Sequence, residues 1–350
     1  MKRLLAIIGC AILLALVCIQ LYSRYVDSSN VFFLKVAEAS DSWAEHIHAT
    51  ERPVFVFAGG SETRSGIIPD IMLREFNMPT INAGEGAGHG LRANAAMAFK
   101  YLKSGDTLVL NILSSKNINI PPSAQGTKMA VYRLKGSVFK SWLIELDWEM
   151  ANQFLSSSIH DAFVLAARYF GRSGRLLKYD QQTVIHPDGW MDIRYREMDN
   201  YKLHPRESTS TIQPLASDSA CLSLLGKLRD YCRENNIRLV VSIPVSCEHE
   251  SFRPEHAIHV LSITRLGIPV LKDKRLGCLP ITTDFADMSA HLNAKGAAEN
   301  TRLLAHLLQN NDYWTTEELE EALHAMGWNA DGTPIIEATK QNHEILQAHP

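Results

Sequence analysis

Apolar residues along this chain come in two rhythms, short unbroken runs and helically spaced faces. Val54–Phe57 is the first clear run, and it stops abruptly at Gly59-Gly60-Ser61. A short apolar run bounded by turn residues reads as a buried strand. Pro69–Phe76 follows with helical spacing, Pro near the first turn and Asn77 just past the end, and it predicts a short helix. Pro79-Thr80-Ile81-Asn82 reads as a second strand, running into the Gly-rich passage Ala83–Gly90. Leu91–Lys103 is an alanine-rich helix closed by Ser104-Gly105-Asp106, and Thr107–Leu113 is a third apolar strand. Strand, helix, strand, helix, strand with short links predicts an α/β fold with a parallel sheet covered on both faces.

The rhythm breaks between about residues 114 and 215. Two helical stretches are expected near Val138–Leu155 and Ile159–Tyr169, then a turn-rich passage containing His186-Pro187-Asp188-Gly189-Trp190. That is far longer than an ordinary α/β connection, so we read it as an insertion, a cap or partner surface. Trp190 would pack on that subdomain or stack on a sugar ring. The alternation then resumes with helix Ser219–Arg233, strand Ile237–Ile243, helix Pro254–Leu266, short strand Pro269–Leu271 and amphipathic helix Gly296–Leu308. Beyond Asn310, Thr315-Thr316-Glu317-Glu318 carries a capping-box pattern. The division expected is 1–25 membrane anchor, 26–52 membrane-proximal helix or stalk, 53–113 first half-domain, 114–215 insertion, 216–310 second half-domain and 311–350 peripheral tail.

Composition changes this picture at the N-terminus. Lys2 and Arg3 precede Leu4–Ser23, which has no charged residue. About 20 apolar residues span a bilayer core. A cleaved signal peptide is the rival reading, but its apolar region is usually shorter and ends at a small-x-small site. An uncleaved transmembrane helix with Lys2 and Arg3 inside is preferred, placing the rest of the chain on the outer face of a bacterial inner membrane. The net charge of −3 over 350 residues, with no Lys/Arg stripe, argues against nucleic acid as a partner. Cys221, Cys232, Cys247 and Cys278 would then face an oxidising compartment, with Cys247–Cys278 the preferred pair and buried free thiols the alternative.

The candidate chemistry lies in three blocks. A strand delivering Ser61 into a Gly-permitted turn is one way to present a nucleophile. A serine needs a base and an orienting carboxylate, and Asp287-Met288-Ser289-Ala290-His291 offers both. The plain alternative is a surface aspartate and a histidine capping the next helix. Cys247, His249, His256 and His259 gather in one stretch, but their spacing matches no familiar zinc pattern. We assign no metal and no cofactor there. The Gly-rich run is not a phosphate loop, since no Gly-Lys-Ser/Thr follows.

Taken together, Gly59-Gly60-Ser61, Asn82-Ala83-Gly84-Glu85-Gly86-Ala87-Gly88 and His291-Leu292-Asn293-Ala294-Lys295-Gly296 resemble, in order and position, the blocks of the SGNH (GDSL-like) hydrolase superfamily. The resemblance covers roughly 54–113 and 221–308. The chain particularly resembles the membrane-anchored branch that includes proteins of alginate O-acetylation and teichoic-acid D-alanine transfer. The resemblance implies a flavodoxin-like three-layer α/β/α sandwich. It implies Ser61 as nucleophile, His291 as base then acid, and Asp287 as orienter. The oxyanion would be held by the N–H of Ser61 and of Gly88, with Gly86 next in line. Two departures stand out. Three residues separate Asp287 from His291 where the family has two, and Asn111-Ile112-Leu113-Ser114-Ser115-Lys116-Asn117 replaces the Gly-x-Asn-Asp block. Asn117 or Asn111 would supply the missing side-chain donor. The function implied is an envelope-facing serine esterase or O-acyltransferase. Its substrate is an acylated polysaccharide or other ester, and a membrane-bound acyltransferase is a candidate partner. The alternative is a catalytically weak or inactive scaffold that binds a glycan or such an acyltransferase.

Overall fold

A computed structural model of the protein describes residues 9, 28–86, 90–112, 183–194, 202–205, 211–216, 219–286 and 289–335. The expected anchor Leu4–Ser23 (Gly9 apart), the insertion helices, Cys10, Cys18, Gly88, Asn117 and Asp287 lie outside these residues. Among the described residues no helix is long and apolar enough to cross a membrane.

The fold is α/β, built on four parallel strands. They are β1 (Phe55–Ala58), β2 (Thr80–Asn82), β3 (Thr107–Asn111) and, after the insertion, β6 (Arg238–Ser242). Their order across the sheet is β2-β1-β3-β6, with Phe55 level with Thr80 and Thr107, and Asn111 level with Ser242. The expected strand Pro269–Leu271 is present only as single bridges, Val270 to Val241 and Leu271 to Tyr313. Beside the sheet, β4 (Thr183–Ile185) and β5 (Met191–Ile193) form an antiparallel hairpin.

Successive strand side chains point to opposite faces, and both faces here are apolar and covered by helices. Val56, Ala58, Leu108, Leu110, Leu239 and Val241 share one core. They meet α1 (Ser28–His48), α4 (Gly90–Phe99), α5 (Ala220–Glu234), α6 (Arg253–Thr264) and α8 (Thr316–Ala325). Phe57, Val109 and Val240 enter the other core, under α3 (Pro69–Phe76) and α7 (Ala294–Asn310). The remaining helix, α2 (Ser61–Gly66), leaves the end of β1 directly.

Two segments sit deeper than their sequence suggests. The stretch read as a stalk is α1, whose Val36, Ser40, Ala44 and Ile47 are buried at helical spacing. It is stitched to β2 by Trp43 Nε1 donating to Thr80 O and Ser40 Oγ donating to Asn82 O. The tail read as peripheral forms α8, with the expected capping box on Thr315 and Glu318. Its Leu319 and Leu323, with Trp314 and Trp328, belong to the main core.

The preferred Cys247–Cys278 disulfide is not formed; Cys221, Cys232, Cys247 and Cys278 are all buried free thiols. The reason is register. Cys278 is bridged to Ser246, not to Cys247, and neighbouring residues of an extended segment face opposite ways. Burial pushes each of the four thiols well above its ordinary range.

Candidate active site

Ligand sites in open α/β sheets gather at the carboxyl ends of the strands, and the singled-out residues collect there. β1 ends at Ala58, and Gly59-Gly60 turn the chain straight into α2, whose first residue is Ser61. A side chain at Gly59 would strike Thr63 Oγ1 at 2.0 Å, and one at Gly84 would reach Arg64 N at 2.7 Å. Both glycines are therefore demanded by close backbone approach. Asn82, at the end of β2, ties the turn down. Its Nδ2 donates to the carbonyls of Thr63, Arg64 and Ile67, while its Oδ1 accepts from Gly84 N. The Asn-x-Gly block thus shapes the serine-bearing helix from beneath.

His291 arrives on a loop pinched at its base. Phe285 bridges antiparallel to Leu292, Ala286 N donates to His291 O, and Asn293 N donates to Asp284 O. Asn293 then caps α7 by accepting from Gly296 N, while its Nδ2 donates to Thr283 O. A side chain at Gly296 would press to 2.4 Å from Asp284 O. The Leu-Asn-x-x-Gly motif therefore fixes this loop against the start of α7. The result is that His291 Nε2 lies 2.8 Å from Ser61 Oγ. That is hydrogen-bond reach for a nucleophile and its base.

Of the two aspartates near His291, Asp284 is buried and holds Lys295 Nζ at 2.8 Å. Asp287 lies outside the described residues. Gly86 contributes its carbonyl to a long contact from Asn94 Nδ2, 3.5 Å. Asn111 closes β3 with its amide Nδ2 donating to Thr63 Oγ1 at 3.1 Å. Ser61 is the first residue of α2, a position whose backbone N–H has no partner within its own helix.

Three features at this site were not anticipated. Glu62, next to Ser61, is buried, and its Oε1 accepts from Gly60 N at 2.7 Å. Burial raises its carboxyl, opposed by hydrogen bonds from the Glu62 and Gly60 backbone and by His291 nearby. Arg64 is 2% exposed and the largest fully buried side chain. Its Nη1 donates to Ser40 Oγ, Asn82 O and Gly189 O, and its Nη2 meets Glu85 Oε1 at 3.3 Å. Burial lowers the guanidinium to about 10, so it stays charged at neutral pH. Glu85 is thus the partner of a buried charge and not a loose loop residue.

The third is the β4–β5 hairpin. Trp190 is buried, packed against His186 of its own hairpin and seated on the sheet domain as well. Its Nε1 donates to Ser65 O on α2, and its ring lies with Ile68, Phe285, Leu292 and Ala297. Asp188 is buried; its Oδ2 accepts from Asp70 N and its Oδ1 from Trp190 N. Met191 and Ile193 pack on Ala286. The hairpin therefore grips the serine-bearing helix and the histidine-bearing loop together. The Asp-Gly turn was readable in the sequence; its docking place was not. Comparison with known protein families, curated proteins and solved structures found no match to this chain.

Proposed function

We propose that this protein is an SGNH-type serine esterase or O-acyltransferase, acting on an acyl ester of a cell-envelope or exported polysaccharide. The observation that carries the reading is the 2.8 Å approach of His291 Nε2 to Ser61 Oγ across 230 residues of sequence. The strand order β2-β1-β3-β6, with Val270 bridged beyond β6, follows the flavodoxin-like order and supports the three-layer architecture that the resemblance implies.

Ser61 gives its hydroxyl proton to His291 Nε2 as Oγ attacks the ester carbonyl. The tetrahedral oxygen takes the negative charge and faces the Ser61 N–H, with Gly88 or Gly86 as second donor. Collapse breaks the bond to the leaving alkoxide, which takes the proton back from His291, and an acyl-Ser61 remains. Water or a polysaccharide hydroxyl then attacks, giving its proton to His291, and Ser61 is released. Asp287 orients the imidazole, and an oxyanion donor of this kind typically lowers the barrier by about 2.7–4 kcal/mol. Anchored through 1–25 to a bacterial inner membrane, the enzyme would work beside a membrane-bound acyltransferase, where tethering raises effective concentration.

Ser61→Ala and His291→Ala are each expected to abolish acetyl-ester hydrolysis or transfer by the full chain. Full activity in either variant overturns the reading. One observation favours a second reading, a scaffold without turnover. The Asn111 amide gives one of its two N–H donors to Thr63 Oγ1, which leaves at most one for an oxyanion. A fluorophosphonate probe separates the two: labelling of Ser61 favours the enzyme, and silence favours the scaffold.

A further inference from the structure

We infer that Glu248, His256 and Cys278 form a zinc site, independent of the proposed catalysis. The three come from separate segments. Glu248 follows the extended stretch after β6, His256 lies on α6, and Cys278 lies on a loop that pairs back onto Ser246. Their ligand atoms all lie within 4.8 Å of one another, with His256 and Cys278 buried and Glu248 at the rim. The set differs from the cluster suggested by the sequence. His249 is occupied in capping a short 3-10 turn by accepting from Ser251 N, and Cys247 lies off the bridged position that Cys278 shares with Ser246.

Three details favour a cation over a simple polar contact. His256 Nδ1 is 2.5 Å from Leu276 O. A donor on that nitrogen fixes the tautomer and turns the Nε2 lone pair outward, the arrangement common to metal-ligating histidines. Glu248 Oε2 lies 3.4 Å from that Nε2 and is buried with no hydrogen-bond donor among the described residues. Tetrahedral zinc with ligands at about 2.0–2.3 Å places neighbouring ligand atoms about 3.3–3.7 Å apart, so the Glu–His edge already fits. Cys278 Sγ lies 3.7 Å from Nδ1, the nitrogen turned to Leu276 O, so its side chain must swing toward the Nε2 side to take the third position.

The backbone around the site is also unusual. Leu276 (φ 49°) and Gly277 (φ 77°) are consecutive left-handed residues. A side chain at Gly277 would come within 3.0 Å of His256 Nδ1. Non-glycine residues in that region cost energy and persist where the surroundings require them.

Imidazole, thiolate and carboxylate together suit zinc, with water at the fourth position on the exposed Glu248 side. On binding, the Cys278 S–H bond breaks, the sulfur electron pair goes to the metal, and the proton leaves to solvent. The site would brace the stretch whose Cys247 N donates to Ser289 O, two residues before His291.

The test uses the full chain, stripped with chelator and titrated with cobalt(II). One equivalent with a thiolate-to-cobalt charge-transfer band is expected, displaced by zinc. Cys278→Ser and His256→Gln lose the band, while Cys247→Ser keeps it. In the unmutated protein, zinc should slow alkylation of Cys278 and leave that of Cys247 unchanged, as mapped by mass spectrometry. Absence of the band, its retention in Cys278→Ser, or zinc protection that does not favour Cys278 overturns the assignment.

Discussion

Glu62 shows how much of this site depends on residues that carry no motif. Its carboxyl is buried beside the proposed nucleophile and raised by that burial above its ordinary 4.5. A carboxyl raised in the folded state stabilises the fold fully below its unfolded value. That stability is lost as pH rises through the folded value. Glu62→Gln keeps an oxygen for Gly60 N–H and removes the buried charge. Its melting temperature is therefore expected to exceed the parent's at neutral pH, with the gap closing below about pH 4.5. Melting curves across pH check this, and a constant gap overturns it. Glu85→Gln should act oppositely. It leaves the Arg64 guanidinium short of its counter-charge, at a cost of about 3–5 kcal/mol in denaturant unfolding. Ser61 and His291 were legible as a pair because their blocks fall at strand and helix ends. Glu62 and Arg64 were not, since adjacent charged residues ordinarily signal a solvated turn, and only tertiary burial reverses that meaning.

At the scale of elements, the hairpin is the piece that the chain's rhythm conceals. Its strands are three residues each, too short for alternation to speak, and its hydrogen bonds to Arg64 and Ser65 span 125 residues of sequence. The longer elements were readable. α3 has the bounds that its proline and asparagine predict, and α7 and α8 are capped by Asn293 and Thr315, residues favoured for that position. Trp190→Phe should cost about 1 kcal/mol through the lost bond to Ser65, and Trp190→Ala about 3–5 kcal/mol through the cavity. Both are measured by urea unfolding. If the hairpin positions α2, labelling at Ser61 should fall further in Trp190→Ala than stability alone explains.

Across the whole molecule, the sheet separates two cores, and each end of the described chain is folded into one of them. The alternation of strands and helices was enough to anticipate a covered parallel sheet. It could not show that α1 and α8 complete the cover, because mixed polar and apolar helices read alike whether they stand free or dock. Truncation after Asn311 removes Leu319 and Leu323, both fully buried. Such a chain is expected to lose its cooperative unfolding transition, and Leu319→Ala alone should cost about 2–5 kcal/mol. A truncated protein that melts like the parent would return this segment to the periphery.

The hairpin's double grip has a consequence for how the protein comes into being. Arg64 is held partly by Gly189 O, and Ser61 meets its partner only at His291. A nascent chain therefore carries an unarmed serine until synthesis has passed both points. On the proposed function, proteolytic or prematurely terminated fragments ending before the hairpin would be inert toward esters, however well their first strands fold. Two complementary fragments, cut between residues 113 and 182, should regain reactivity only when mixed. The hairpin is in this sense the clasp of the domain, and a protein engineer who trims it would remove that closure.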